Sequence, residues 1–264
     1  MRRKTQFIIT GLILAIAALG FLIWAGNKDI TAPMFRDPEA NAYEALIFAQ
    51  KQLGDISSDS APAEITQSVA NNGVALKLMR AALEKPFEAP EAVYDPQINN
   101  AHLNDLGRFK ALALAAKREG TLAERDGDYA SAARSYVDII RLGQTIQAGP
   151  LIFMLVGVSI ERIGVEVLTE LEPNLTGDTR SQTAAVLKQL NETRLPFAEV
   201  EMRERYFRRR GSPTPIHYLI FSRHVRAAMD KGNEKHMQAY QSLDALASKL
   251  AQPTPKTSSA APAE

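Results

Sequence analysis

The chain has 264 residues, of which 45% are hydrophobic and 23% charged, and its 31 basic and 30 acidic side chains give a formal net charge of +1. The apolar fraction predicts a folded chain, and the near-neutral charge argues against a strongly basic nucleic-acid binder. The chain has no cysteine, which excludes disulfides, cysteine-ligated zinc, iron–sulfur clusters and thiol nucleophiles.

The N-terminus predicts a single membrane anchor. Three cations at residues 2–4 precede the uncharged segment Phe7–Ala25. Nineteen helical residues span roughly 28 Å, close to the ~30 Å hydrocarbon core of a bilayer, and Trp24 suits the interface. A cleaved signal peptide is the alternative, although Ile23 is large where cleavage prefers a small residue. By the positive-inside rule we expect a cytoplasmic N-terminus and a periplasmic or extracellular remainder.

Composition divides the chain into three parts. Residues 1–35 are predicted to form a cytoplasmic stub, the anchor and a short tether. Residues 36–252 are predicted to form one extracytoplasmic all-α domain, because apolar residues recur there at helical spacing with almost no strand pattern. Residues 253–264 are rich in Pro, Ala, Ser and Thr and lack core residues, so we expect a disordered tail.

The periodicity predicts nine helices and one long loop. Asn72 is a polar interruption in the apolar stripe of the second helix, and Thr179 and Gln182 have the spacing of a capping box. The loop over 85–100 contains three prolines and could separate two subdomains. The helices are predicted over 38–53, about 62–83, 101–125, 128–148, 150–171, from 177 onward, 196–211, 215–231 and 233–251.

The fifth helix contains the uncharged run Leu151–Ile160. Ten residues are too few to span a membrane, which takes about 18 or more, so a central core helix is predicted. Gly157 and Gly164 would allow close approach of a neighbouring helix.

One segment resembles the second half of a tetratricopeptide repeat, in which a turn glycine precedes an aromatic residue and small residues let two helices touch. The residues that carry the resemblance are Gly120, Gly127, Tyr129, Ala132, Tyr136 and Ile139. It implies that the rings of Tyr129 and Tyr136 fill the core of a helical hairpin. A single unit of about 35 residues is visible, whereas at least three repeats usually stack. We therefore expect antiparallel helical hairpins, arranged as a repeat-like α-α superhelix or as an irregular bundle.

A second resemblance spans more of the chain. An anchor is followed by Asn41–Leu46, then Leu112–Glu161, then the proline-led helix Phe197–Phe207. This order is similar to uncharacterised membrane-anchored helical proteins of planctomycete-type bacteria. The resemblance implies a topology and an architecture, and it carries no activity, cofactor or site.

The sequence offers little catalytic chemistry. It has no glycine-rich phosphate loop and none of the motifs H-E-x-x-H, G-x-S-x-G or S-x-x-K. His217 and His224 are seven residues apart, whereas a helix usually ligates one metal through residues three or four apart, so no metal or other cofactor is expected. Glu161 and Glu166 follow the apolar run and could serve a hydrolase as acid and base; alternatively Glu161 is paired, with Arg162 adjacent.

An arginine-rich block is the strongest charge signal. It comprises Arg203, Arg205, Arg208, Arg209 and Arg210, with Arg223 and Arg226 on the following helix. Three interpretations compete: a solvated helix end that pairs with the acidic N-terminal half, contact with anionic lipid or envelope polymer, and contact with the acidic face of a protein partner. Nucleic acid is disfavoured because the expected topology puts the block outside the cytoplasm.

These observations predict a membrane-tethered, extracytoplasmic helical scaffold that binds an envelope protein without catalysis. Its expected partners are the lipid bilayer, through Phe7–Ala25, and one envelope protein. The alternatives are an envelope-directed hydrolase that uses buried carboxylates and an anionic envelope-surface binder that uses the arginine block. The oligomeric state and the identity of the partner cannot be read from the residues.

Overall fold

The computed structural model describes residues 40–54, 62–94, 99–211 and 215–252, of which 62–63, 99–101, 211 and 215–225 are described by their backbone alone. The predicted anchor Phe7–Ala25 and the predicted tail 253–264 lie outside the described residues. Within the described ranges, the helices all fall short of the combined length and apolarity that a membrane crossing needs.

The described residues form eight α-helices and no strand, which confirms the all-α class. Two short 3-10 turns, Glu91–Tyr94 and Glu172–Asn174, complete the regular structure. The helices are α1 (Ala42–Lys51), α2 (Pro62–Leu83), α3 (Asn99–Arg125), α4 (Tyr129–Ile146), α5 (Leu151–Leu171), α6 (Gly177–Glu192), α7 (Phe197–Gly211) and α8 (Pro215–Ala251).

Helices α4 and α5 make the most extensive helix pair of the described fold, and glycines set their distance. A Cβ atom at Gly157 would lie 2.5 Å from the carbonyl oxygen of Gly143, and one at Gly164 would lie 2.9 Å from that of Tyr136. Since real Cβ atoms do not approach other atoms so closely, the two backbones touch where any larger residue would separate them. This contact confirms the prediction that Gly157 and Gly164 allow a neighbouring helix to approach closely.

The main core joins the N-terminal helices to α5. Tyr43 on α1 is buried, and its ring centroid lies 5.7 Å from that of Phe109 on α3 and 6.3 Å from that of Phe153 on α5. The Tyr43 hydroxyl donates to Asp105 Oδ2 at 2.6 Å, so the ring is buried without losing a hydrogen bond. Phe153 and Ile160 are fully buried, which confirms that the uncharged run of α5 is a core segment.

The described part of the predicted long loop, 85–94, packs into this same core. Phe87, Val93 and Tyr94 are buried there. Asn41, the N-cap of α1, accepts from the backbone N–H groups of Tyr43 and Glu88 at 3.0 and 3.1 Å and donates to the Glu88 carbonyl at 2.7 Å. The option that this loop separates two subdomains is therefore wrong for its described residues, because buried side chains and an asparagine bridge fix it to α1.

Two helix boundaries differ from the prediction. The eighth and ninth predicted helices are one helix, α8, which continues through Gly232. A Cβ at Gly232 would lie 2.8 Å from Leu151 Cδ1, so this glycine permits close packing on α5 instead of ending a helix. Helix α6 begins at Gly177, with Thr176 in the cap position. Thr179 is therefore already within the helix, and the predicted capping box is wrong.

The polar interruption of α2 has a structural explanation. Asn72 is buried, accepts from the backbone N–H of Gly54 at 2.8 Å and donates to the Ser68 carbonyl at 2.8 Å. A buried amide that satisfies the backbone after α1 accounts for a polar residue in an apolar stripe.

Candidate binding groove

The residues predicted to pack α3 against α4 come together around one tyrosine. The Tyr136 ring is buried against Gly120, where a Cβ would lie 2.7 Å from Tyr136 Cδ1, and its hydroxyl donates to Glu124 Oε2 at 3.0 Å. Burial raises the pKa of that hydroxyl to about 12. Ala132 and Ile139 are fully buried on the same helix.

Tyr129 departs from the expectation that it fills the core. Its side chain belongs to the first residue of α4 and is 37% exposed. The turn before it uses Gly127 at φ +79° and Asp128, whose carboxylate accepts from the Ser131 backbone N–H at 3.0 Å. This cap starts α4 three residues before Ala132, the first buried residue of the helix, so the Tyr129 ring lies at the rim.

Much of the arginine-rich block is used inside the fold. Arg203 on α7 is largely buried and donates to Glu88 Oε1 at 2.5 Å and to the Ala148 carbonyl at 3.0 Å. It thus joins α7 to the 85–94 segment, whose residue Glu88 is 115 positions away in sequence. The predicted interaction patch is wrong at this position, because a buried ion pair leaves no guanidinium for an external partner.

The other arginines of the block are divided between ion pairs and solvent. Arg210 pairs with Glu91, while Arg205 pairs with Glu201 at 2.8 Å within α7. Arg208 lies 3.6 Å from Glu204 and is also largely buried. Arg209 and Arg226 are exposed and have no ion pair within the described ranges, and the side chain of Arg223 lies outside them. The block therefore does not form one continuous free basic surface.

Glu161 and Glu166 do not form a catalytic pair. Glu161 is 1% exposed and is held by Arg194, whose Nη1 donates to Oε2 at 2.9 Å, and by the Gln147 amide at 2.9 Å. Glu166 lies on the solvent side of α5 and pairs with Arg162 at 3.3 Å. Arg162, the neighbour expected to pair with Glu161, thus pairs with Glu166 instead. Because one carboxylate is buried and the other is exposed to solvent, these two residues cannot act together as the acid and base of the hydrolase alternative.

An open groove lies along α4. Its cavity holds about 650 Å³, within the range of ligand sites, and it is bounded by α4, by Arg80 of α2, by Glu119 of α3 and by Val186 and Gln189 of α6. The α4 residues that face it are Ser131, Arg134, Ser135, Val137, Asp138 and Arg141. We call this surface the α4 groove.

A second cavity of about 300 Å³ adjoins the α4 groove, and Arg141 lines both. We call it the end pocket. It adds Thr145 of α4, Phe87 and Lys85 of the 85–94 segment, and Leu195 after α6. From Ser131 to Thr145 the groove and the pocket follow α4 for about 21 Å.

A network of ion pairs joins three of the helices that line the α4 groove. Arg80 Nε donates to Asp138 Oδ2 at 2.6 Å and Arg80 also pairs with Glu119, which accepts from the Ser135 hydroxyl at 2.7 Å. Burial raises the pKa of the Asp138 carboxyl although Arg80 opposes the rise. Three helices are therefore joined by charges whose partners are inside the protein.

Sequence reasoning missed the α4 groove. The sequence pattern that could have indicated it lies in α4, where Arg134 and Arg141 are seven residues apart on a helix that is otherwise largely apolar. Seven residues are two helical turns, so both arginines share one face. The walls come from α2 and α6, about 50 residues away on each side, and no local pattern links them.

The described side chains include no group of three or more His, Asp or Glu residues that could hold a metal ion. His236 is buried beside Phe197, and its Nε2 lies 3.1 Å from the Leu195 carbonyl oxygen. Burial lowers the pKa of His236, and the nearby Arg194 lowers it further. The side chains of His217 and His224 lie outside the described set.

Comparisons with protein-family models, with curated proteins and with solved structures find no match to this chain. The similarities to tetratricopeptide hairpins and to membrane-anchored planctomycete-type proteins stay predictions.

Proposed function

We propose that this chain is a membrane-tethered helical scaffold that binds an extracytoplasmic protein partner in the α4 groove. The observation that carries the proposal is the groove itself, a concave surface of about 650 Å³ formed by four helices. Concave faces of this kind are typical of stacked helical hairpins, and such a stacking order for α3 to α6 is part of the proposal.

Rigid support favours a binding role for this surface. Helix α4 contacts α5 backbone to backbone at Gly143 and Gly157, and Tyr136 packs against Gly120 on α3. The Arg80 network holds α2 and α3 to the same helix. A face held on both sides changes little on binding, which lowers the entropic cost of association.

The tether is the second element of the proposal. It rests on the uncharged segment Phe7–Ala25 and on the cations at residues 2–4, which would hold the N-terminus in the cytoplasm. The helical domain would then face the periplasm or the exterior and present the α4 groove to envelope proteins.

Site-specific photo-cross-linking in native membranes tests the proposal. The full chain with a C-terminal affinity tag carries a photo-activatable residue in place of Gln189, which is exposed and lines the α4 groove. The matched control carries it in place of Lys188, the preceding residue of α6, whose side chain is 74% exposed and does not line the groove.

We expect position 189 to capture the same one or two proteins in repeated preparations, while position 188 captures them weakly. Mass spectrometry of the cross-linked peptide identifies the bound segment. Equal capture at both positions, or no protein captured at 189, would refute binding in the α4 groove.

A further inference from the structure

Two arginines of the α4 groove lack a strong internal partner. Arg134 is exposed and donates to the Ser131 hydroxyl at 2.9 Å. Arg141 lies 3.3 Å from Glu84, whose side chain is 69% exposed at the rim. An exposed pair of this kind contributes little and exchanges readily for a better partner. Both guanidinium groups can therefore turn to a ligand in the groove.

The α4 groove has more arginines than carboxylates, because Arg80, Arg134 and Arg141 line it together with Asp138 and Glu119. Asp138 and Glu119 both pair with Arg80. In the end pocket, Arg194 is neutralised by Glu161 behind it. Three arginines against two carboxylates leave the groove lining with one excess positive charge, which is complementary to an anionic ligand.

The spacing of these arginines restricts the shape of that ligand. Seven helical residues separate Arg134 and Arg141 by about 10.5 Å along α4. In a polyproline II segment, residues three apart lie on one face at a distance of about 9.3 Å, whereas residues three apart in a β-strand point to opposite faces. An extended segment is also narrower than a helix, whose diameter with side chains is about 10–12 Å.

Apolar surface lies between the two charges. Val137 on α4 is 9% exposed and faces the groove together with Val186 on α6. An apolar side chain between two carboxylates of the ligand would cover these valines. Contact between the apolar groups is favourable because it removes apolar surface from water.

We propose that the α4 groove binds an extended acidic segment of the partner, with two carboxylates three residues apart at Arg134 and Arg141 and an apolar residue between them. This inference rests on the proposed function and specifies the chemistry of its partner.

Fluorescence anisotropy with three labelled peptides tests the inference on the full chain in a non-ionic detergent. One contains Asp-Pro-Leu-Asp between neutral flanks. The second contains Asp-Asp-Pro-Leu, which keeps the charge and composition but changes the spacing. The third contains Asn-Pro-Leu-Asn, which removes the charge.

We expect the spaced acidic peptide to bind at least ten-fold more tightly than the other two. The double variant Arg134→Gln with Arg141→Gln should lose this preference. The control variant Arg162→Gln should keep it, since that side chain is 74% exposed on α5 and lies outside the α4 groove. Rising salt should weaken the binding.

Equal affinity for the spaced and adjacent acidic peptides would overturn the inference. It would show that the groove attracts negative charge without recognising the spacing of the two carboxylates. Displacement of the spaced peptide by mixed micelles of phosphatidylglycerol and the same detergent, lost in the double variant, would also overturn it in favour of an anionic lipid surface. If position 189 cross-links a partner through a segment without spaced carboxylates, the inference fails while the proposed function stands. If that position captures no protein, the proposed function fails.

Discussion

The arginine-rich helix α7 and the α4 groove differ in how they use positive charge. In α7, Arg203 and Arg210 pair with Glu88 and Glu91 of the packed 85–94 segment. In the α4 groove, Arg134 and Arg141 face an open cavity with weak internal partners. The dense cluster thus serves mainly to hold the fold together, and the sparse pair serves the open surface.

This difference shows why charge density along a sequence is a weak guide to a binding site. A charge is available to a partner only after the fold has assigned its internal partners. Glu88 lies 115 residues from Arg203, so the assignment cannot be read locally. Exposure and pairing, both set by tertiary contacts, decide which arginines remain for a ligand.

The largest expected effect concerns the ion pair behind the end pocket. Arg194→Ala would leave Glu161 buried and unpaired, and should lower the free energy of unfolding by about 3–5 kcal/mol. Replacing both residues by Met removes both charges at once and should cost far less. Urea unfolding followed by circular dichroism measures both variants. Equal losses would show that these residues do not stabilise each other as a pair.

The two tyrosines of α4 should differ in how much they contribute to the free energy of unfolding. Tyr136→Ala empties a buried site against Gly120 and should cost about 3–5 kcal/mol, whereas Tyr129→Ala at the rim should cost less than about 1 kcal/mol. Thermal and urea unfolding of the two variants provide the comparison. Similar losses would contradict the packing of α3 on α4 around Tyr136.

A third comparison lies within the arginine-rich helix. Arg203→Ala removes the largely buried guanidinium that pairs with Glu88 and should lower the free energy of unfolding by about 2–3 kcal/mol. Arg209→Ala changes an exposed side chain and should alter stability by less than about 0.5 kcal/mol. If both substitutions prove neutral in urea unfolding, α7 does not depend on its buried ion pair.

The smallest effect is a pH dependence at His236. Its pKa in the folded protein is lowered from the ordinary 6.5 by burial and by Arg194, while the Leu195 carbonyl and Glu161 act in the opposite direction. The unfolded chain therefore binds the proton more tightly. This contribution to stability is complete above about pH 6.5 and is lost as the pH falls through the folded pKa. His236→Gln should flatten the pH profile of urea unfolding between about pH 7 and 5, and an unchanged slope would contradict the assignment.

Helical periodicity was sufficient to predict the all-α class and the positions of most described helices. The uncharged run of α5 and its glycines also predicted a core helix with close neighbours, because burial and small residues leave a local pattern. The predicted break between 231 and 233 was wrong because a glycine that ends a helix and one that admits a neighbouring helix look alike in sequence.

The candidate site was less predictable than the fold. The fate of each arginine depends on contacts between distant segments, as with Arg203 and Glu88. The same is true of Glu161. Its partner is Arg194, which lies 33 residues away, and not the adjacent residue Arg162. The α4 groove exists because α2 and α6 stand on either side of α4, and that placement is a tertiary property.

The most direct test compares two charge-matched double variants of the tagged full chain in native membranes. Arg134→Gln with Arg141→Gln removes two cations from the α4 groove, and Arg205→Gln with Arg209→Gln removes two exposed cations from α7. The yield of the protein cross-linked at position 189 is the readout, and urea unfolding confirms that both variants are folded. We predict that the groove variant loses most of the yield while the α7 variant keeps it; the reverse result would contradict the central claim that the partner binds in the α4 groove.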